Sequence, residues 1–230
     1  MIKILFYKPG STLDKVRKQY GPTSKWLAEI YSNIAEIRTC RIDKGESADI
    51  NKFDGLIVGG SSNSVYDKID WIYRLQDILI EANHKKKYVL GICFGHQLIA
   101  QAFGGKVELN SKGWEVGSYK VYLTRKGKQS ALFNKFNNNF VAYESHQDVV
   151  TVLPSNAKEL AYNRMGNQSF KIKDNMFAVQ FHPEFDSKIM HSYILRRKEL
   201  GANIINERVF KTTKLKNVLT NFYYIIKRSL

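Results

Sequence analysis

Three short segments carry residue types that can do covalent chemistry together: Gly91-Ile92-Cys93-Phe94-Gly95-His96-Gln97, Phe181-His182-Pro183-Glu184 and Val58-Gly59-Gly60-Ser61. A cysteine nucleophile needs a base, and the base needs a group that orients it and stabilises its charged form. Cys93 follows the apolar run Tyr88-Val89-Leu90 and precedes Leu98, Ile99 and Ala102, which recur at helical spacing. This pattern predicts strand, tight turn and helix with the thiol at the apex. It is the elbow known with serine nucleophiles, where small neighbours such as Gly91 and Gly95 relieve crowding around a strained backbone. Sulfur placed there gains twice, because a helix N-terminus stabilises negative charge and the backbone N–H after the nucleophile can receive an oxyanion. An isolated cysteine is more often a small core residue. The glycines on both sides favour chemistry, provided that a base exists.

Five histidines are available. His84 falls in a lysine-rich loop, His191 in the last helical region, and His96 at the start of the elbow helix, where it is expected to face solvent. His146 lies in Tyr-Glu-Ser-His-Gln-Asp, a polar loop between strands. His182 is favoured, because it ends a buried-looking strand at the edge where a parallel sheet presents its active groups. In an extended segment Glu184 would project to the same side as His182 and could hold one ring nitrogen while the other faces the thiol. Pro183 fixes the backbone between them.

The elements that must position these groups follow from periodicity. Ile2 to Tyr7, Glu36 to Ile42, Asp54 to Gly60 and the elbow strand read as strands. They alternate with helices carrying Trp26, Leu27, Ile30, Tyr31 and Ile34, and then Ile69, Ile72, Leu75, Ile78 and Leu79. Asp14 to Gln19 is only polar and basic. The alternation predicts an α/β fold, a mostly parallel central sheet flanked by helices. After Gly105, strands at Lys106–Leu109, Gly117–Thr124, Phe140–Tyr143 and Val149–Leu153 predict a small antiparallel section, and Met176 to Phe181 is a last strand. Residues 1–186 are expected to form one domain, with 187–230 a basic helical extension packed on it.

Taken together, LIVGGS, GICFGHQ, KGWEVG, SHQD and FHPE resemble the class I (triad) glutamine amidotransferases, with a flavodoxin-like fold, from about Ile2 to Glu184. The resemblance implies that Cys93 attacks the side-chain amide of glutamine and releases ammonia, leaving a glutamyl thioester that water hydrolyses. It implies His182 as general base and acid, Glu184 as the orienting carboxylate, and the backbone N–H groups of Gly60 and Phe94 as the oxyanion hole. Gln97 and the backbone of Ser145, His146 and Gln147 match positions that hold the glutamyl moiety. Ser62 stands where many members have proline, which is expected to loosen that loop, and Gln147 stands where the guanylate synthetase branch has glycine. SHQD, KGWEVG and the SVYD segment look more like the free-standing branch that includes γ-glutamyl peptidases. Such amidotransferases need an acceptor domain for ammonia. No phosphate-binding glycine loop follows Glu184, which leaves either a separate synthetase subunit as partner or simple hydrolysis of a γ-glutamyl bond.

Composition sets the remaining expectations. The 230 residues, 43% hydrophobic, suffice for one core. Cys40 and Cys93 lack CxxC spacing, so no disulfide framework, metal site or cofactor is expected, and a reducing cytoplasm fits. No apolar run reaches membrane-spanning length. The net charge of +15 raises an inactive homologue that binds nucleic acid or regulates as another reading. About half of that excess lies between Ser187 and Leu230, where a solvated helical surface is the simpler account, and nucleic acid is not expected as a partner.

Overall fold

In the computed structural model, which describes residues 1–230 other than Ile205 and Thr213, one nine-stranded sheet organises the chain. Its first half is β1 (Ile2–Tyr7), β2 (Ala35–Cys40), β3 (Gly55–Val58) and β4 (Tyr88–Ile92), joined by a late strand, β11 (Met176–Val179). These five are all parallel, in the order β2-β1-β3-β4-β11. Alternate residues feed two cores, as a sheet covered on both faces requires. Ile4, Phe6, Ile57, Leu90, Ile92 and Val179 pack on one side, and Leu5, Tyr7, Leu56, Val58, Val89 and Ala178 on the other. This is why the strands read as unbroken apolar runs.

Helices α1 (Asp14–Tyr20) and α2 (Thr23–Tyr31) follow β1, α3 (Asp70–His84) follows β3, and α4 (Phe94–Ala102) follows β4. Helix α2 starts at Thr23, with Pro22 in the cap position. The polar stretch from Asp14 proves to be helical, with Val16 as its one buried residue, a face too narrow to read as a period.

The second half begins with β5 (Lys106–Leu109), β6 (Glu115–Leu123) and a one-turn helix, α5 (Arg125–Lys128). It continues with β7 (Asn139–His146), β8 (Asp148–Val152), β9 (Ala157–Asn163) and β10 (Gly166–Ile172). Four of these strands extend the main sheet antiparallel in the order β10-β9-β6-β7, while β5 and β8 form a separate pair. The antiparallel section therefore holds two strands, β9 and β10, that the pattern did not reveal. The chain changes sheets at Gln147, between the last residue of β7 and the first of β8.

Helices α6 (Ser187–Glu199) and α7 (Lys216–Lys227) close the face that carries α2. Val218, Leu219, Phe222, Tyr223 and Ile226 make the buried stripe of α7. Each such side chain contributes about 1.5–3 kcal/mol on burial. Ile226 reaches Gly55, where a Cβ would lie 2.4 Å from its Cδ1, and the buried Tyr31 hydroxyl donates to the Leu219 carbonyl at 2.8 Å. Among the described residues no helix is long and apolar enough to cross a membrane.

Candidate active site

Four adjacent strands, β1, β3, β4 and β11, end at the same edge, and there they deliver Lys8, Gly60, Cys93 and His182. Cys93 has φ 54° and ψ −103°, a backbone conformation that L-residues rarely hold. Close packing of α4 on the strands sustains it. A Cβ on Gly95 would lie 2.3 Å from the Val58 carbonyl oxygen, and one on Gly91 would lie 2.4 Å from that of Gly95. Only glycine permits this approach, which accounts for the spacing around the thiol.

His182 and Glu184 lie in a turn, not in the extended segment expected. The Phe185 N–H donates to the His182 carbonyl at 3.4 Å, and the fold of the turn brings the His182 Nδ1 within 2.8 Å of Glu184 Oε1. The His182 N–H donates to the Tyr143 carbonyl at 2.8 Å, and the Phe185 ring stacks on the imidazole at 4.1 Å and 11°. Burial opposes charging of His182, but the Glu184 carboxylate and then the Cys93 sulfur outweigh it, and its pKa is raised to about 10. A Cβ built on Gly60 would lie 3.2 Å from His182 Cε1 and 4.0 Å from Cys93 Sγ, so the imidazole, the thiol and this glycine meet at one point. The Gly60 N–H makes no hydrogen bond among the described residues. Phe94 opens α4, where the first N–H groups lack helical partners.

The loop after Gly60 is braced without proline. Ser61 Oγ donates to the Pro9 carbonyl at 2.9 Å, and Asp67 Oδ2 accepts from the Ser64 N–H at 3.0 Å and the Asn63 amide at 3.2 Å. The loosening expected from Ser62 is thus offset by side-chain bonds from its neighbours.

The remaining motif segments prove to be tied to one another. Asp148 accepts from Ser64 Oγ at 2.5 Å and from the Tyr66 hydroxyl at 3.0 Å, which joins SHQD to SVYD. Gln97 donates to the Asp148 carbonyl at 2.9 Å and to Gln180 Oε1 at 3.1 Å, joining SHQD to the elbow helix. The ring of His146 is buried, with Nδ1 donating to the Asp148 carbonyl at 2.9 Å and Nε2 2.9 Å from Glu115 Oε2 and 3.3 Å from Glu144 Oε2. This joins SHQD to KGWEVG. Burial lowers the pKa of His146, yet the two carboxylates raise it well above the usual value. Burial, then Glu115, pushes Glu144 up to about 7. Glu115, Glu144 and His146 place three ligand atoms within 4.8 Å of one another, a spacing one cation could use.

Of the expected substrate-holding residues, Gln97, Ser145, His146 and Gln147 all border a cleft beside Cys93, where the ring of His146 faces inward and Gln147 is half-buried. His96 departs from expectation. It is fully buried, its Nε2 2.8 Å from Asn167 Oδ1, and burial pushes its pKa down to about 4. His84 ends α3 and His191 lies on α6, both exposed.

Two cations at the site were invisible to sequence reasoning. Arg197 on α6 is half-buried, lies 4.6 Å over the Trp114 ring, and borders the cleft on both sides of the thiol. It makes only a 3.4 Å bond to Ser145 Oγ and no ion pair among the described residues. Its neighbours Arg196 and Lys198 pair outward with Asp14 and Glu207. Lys8 is buried at the end of β1. Charge in a run of charges gave no signal that separated these residues from the surface.

The family model for glutamine amidotransferase class-I matches residues 23–201. Gamma-glutamyl peptidase 4 of Arabidopsis thaliana is 37% identical over 172 residues, which are 74% of this chain and 68% of that protein. A glutamine-hydrolysing GMP synthase of Borreliella burgdorferi is 35% identical over 162 residues, 68% of this chain but 27% of the longer enzyme. The crystal structure of a glutamine amidotransferase from Thermotoga maritima shares the fold with a TM-score of 0.79 at 20% identity, over 98% of both chains. The stretch matched by the family model runs through the elbow, the histidine–carboxylate turn and the segments tied around them, and the chain belongs to the class-I glutamine amidotransferase family.

Proposed function

We propose that the protein hydrolyses the γ-glutamyl amide bond through a thioester on Cys93. The observation that carries this reading is the thiol at a strained, glycine-packed elbow beside an imidazole whose far nitrogen is held by a buried carboxylate. His182 takes the thiol proton, and the sulfur adds to the amide carbonyl. The oxyanion is received by the N–H groups of Gly60 and Phe94. As the C–N bond breaks, His182 returns the proton to the departing amine. Water, deprotonated by His182, then adds to the thioester and releases glutamate and the thiol. Glu184 fixes the ring with Nδ1 as donor and stabilises the imidazolium at each stage.

The glutamyl group lies against Gln97 and the backbone of Ser145, His146 and Gln147, with Arg197 supplying charge for its carboxylate. The 187–230 extension belongs to the same domain in this account, since α6 contributes Arg197. With glutamine as substrate the product is ammonia, and the similarity to a GMP synthase then supports a separate synthetase subunit as acceptor. With a γ-glutamyl peptide the same steps release a larger amine, and the similarity to gamma-glutamyl peptidase 4 supports that form. The two free cysteines suit a reducing cytoplasm.

The test is product release from glutamine and from γ-glutamyl amides by the purified protein, with Cys93→Ala as control. Release that depends on Cys93 is expected. No release from any of these substrates, or release that survives Cys93→Ala, refutes the mechanism.

A further inference from the structure

Cys93 lies where two arms of the cleft meet, and Ser61, Ser62, Ser145 and Arg197 border both. One arm holds Gln97, Trp114 and Gln147, the side assigned above to the glutamyl group. The other runs past Lys8, Thr12, Leu13 and Thr23, and His182 borders this arm alone. The proton donor to the departing amine thus faces the second arm, which is where the leaving group must stand. Ammonia needs no such arm.

Lys8 gives that arm its character. Only 6% of its surface is exposed, and its ammonium has no hydrogen bond or ion pair among the described residues. Its neighbour Arg41 is already held by Asp43 through bonds of 2.8 and 2.7 Å. Beyond Lys8 the arm continues into a shallow basin bordered by Arg17 and Lys18, and burial and the neighbouring Arg41 hold the Lys8 pKa below its usual value. The stem is buried and the ammonium reaches the cleft without a counter-ion paired to it among the described residues. Lys8 is placed at the end of a central strand, where its backbone N–H is fixed to the Cys40 carbonyl at 2.9 Å. An anion delivered by the ligand supplies that partner.

We propose that Lys8 is a carboxylate-binding residue on the leaving-group side of the thiol, so that the protein takes γ-glutamyl amides whose departing amine carries a carboxylate, as in a γ-glutamyl dipeptide. The proposal rests on the hydrolase reading for its choice of ligand. It is tested by calorimetry on the Cys93→Ala protein with γ-glutamylglycine and γ-glutamyl methylamide, two ligands that differ by the carboxylate. The dipeptide is expected to bind more tightly. Lys8→Met is expected to reduce the ratio of the two dissociation constants about tenfold or more, the range for a hydrogen bond to a charged group, and Lys8→Arg to retain most of it. A ratio that Lys8→Met leaves unchanged, or no difference between the ligands, overturns the proposal. Turnover by the native protein reports separately. Hydrolysis with a Lys8-independent ratio keeps the hydrolase and removes the subsite, whereas a Lys8-dependent ratio without hydrolysis keeps the subsite and removes the hydrolase.

Discussion

Replacing Gly95 by alanine would put a methyl carbon 2.3 Å from the Val58 carbonyl oxygen and 3.0 Å from Val58 Cβ. Both atoms belong to β3, and no flexible side-chain end can yield. The start of α4 must therefore back away by roughly 0.7 Å merely to reach the shortest tolerated contact, in a core packed without slack. Overpacking of this kind costs about 1–3 kcal/mol. The larger consequence is at the elbow, because Cys93 and the Phe94 N–H ride on this end of α4. A misplacement near 1 Å is worth about a hundredfold in rate, so kcat on a γ-glutamyl amide is expected to fall by about 30- to 100-fold. Gly104→Ala is the control at the opposite end of the same helix. Its φ of 86° makes alanine strained, but nothing lies within 4 Å of the new carbon, so a stability loss of about 1–2 kcal/mol is expected with turnover kept. Urea unfolding and steady-state turnover of both variants give the comparison. If the two lose similar stability and Gly95→Ala keeps its kcat, the elbow packing is not what positions the thiol.

Three further variants test the charges. Glu184→Gln removes the carboxylate that raises His182 to about 10, so the alkaline limb of kcat/KM should move down by about one pH unit or more. The stability that His182 contributes is full below its unfolded value of 6.5 and is lost as pH rises through about 10. Thermal melts of the native protein should therefore decline across that window more than those of the variant. Glu144, raised from 4.5 to about 7 by burial, likewise contributes stability at low pH that is lost between those values; Glu144→Gln should flatten the decline of melting temperature there. Arg197→Met should raise KM about tenfold or more through loss of a charged hydrogen bond to substrate, with kcat changed less, which steady-state kinetics would separate.

The site-bearing half of the molecule was legible because its constraints are local. A thiol between glycines, an apolar run before it and a helical period after it all describe one turn of chain, and the parallel strands around it are apolar on both faces. The rest depends on partners far away in sequence. β9 and β10 escaped notice because Asn163, Asn167, Gln168 and Ser169 sit inside them as buried polar residues and break the alternation. His96 was expected in solvent because nothing near it in sequence reveals Asn167, which takes its ring nitrogen. The motifs themselves gained a reason: SVYD, KGWEVG and SHQD go together since Ser64, Tyr66 and Glu115 hold Asp148 and His146. Lys8 and Arg197 stayed hidden because a lone charged residue in a +15 chain looks like surface until the fold turns it inward.

Cys40, buried on the other side of the sheet from the site, is the only other cysteine and serves as an internal control. The most direct measurement is mass spectrometry of the protein acid-quenched during turnover of a γ-glutamyl amide, followed by peptide mapping. One glutamyl acyl group on the peptide that contains Cys93, absent from the His182→Ala protein and from the Cys40 peptide, is the predicted result. Turnover with no acyl group on Cys93 at any quench time, together with activity that survives Cys93→Ala, would contradict the thioester mechanism.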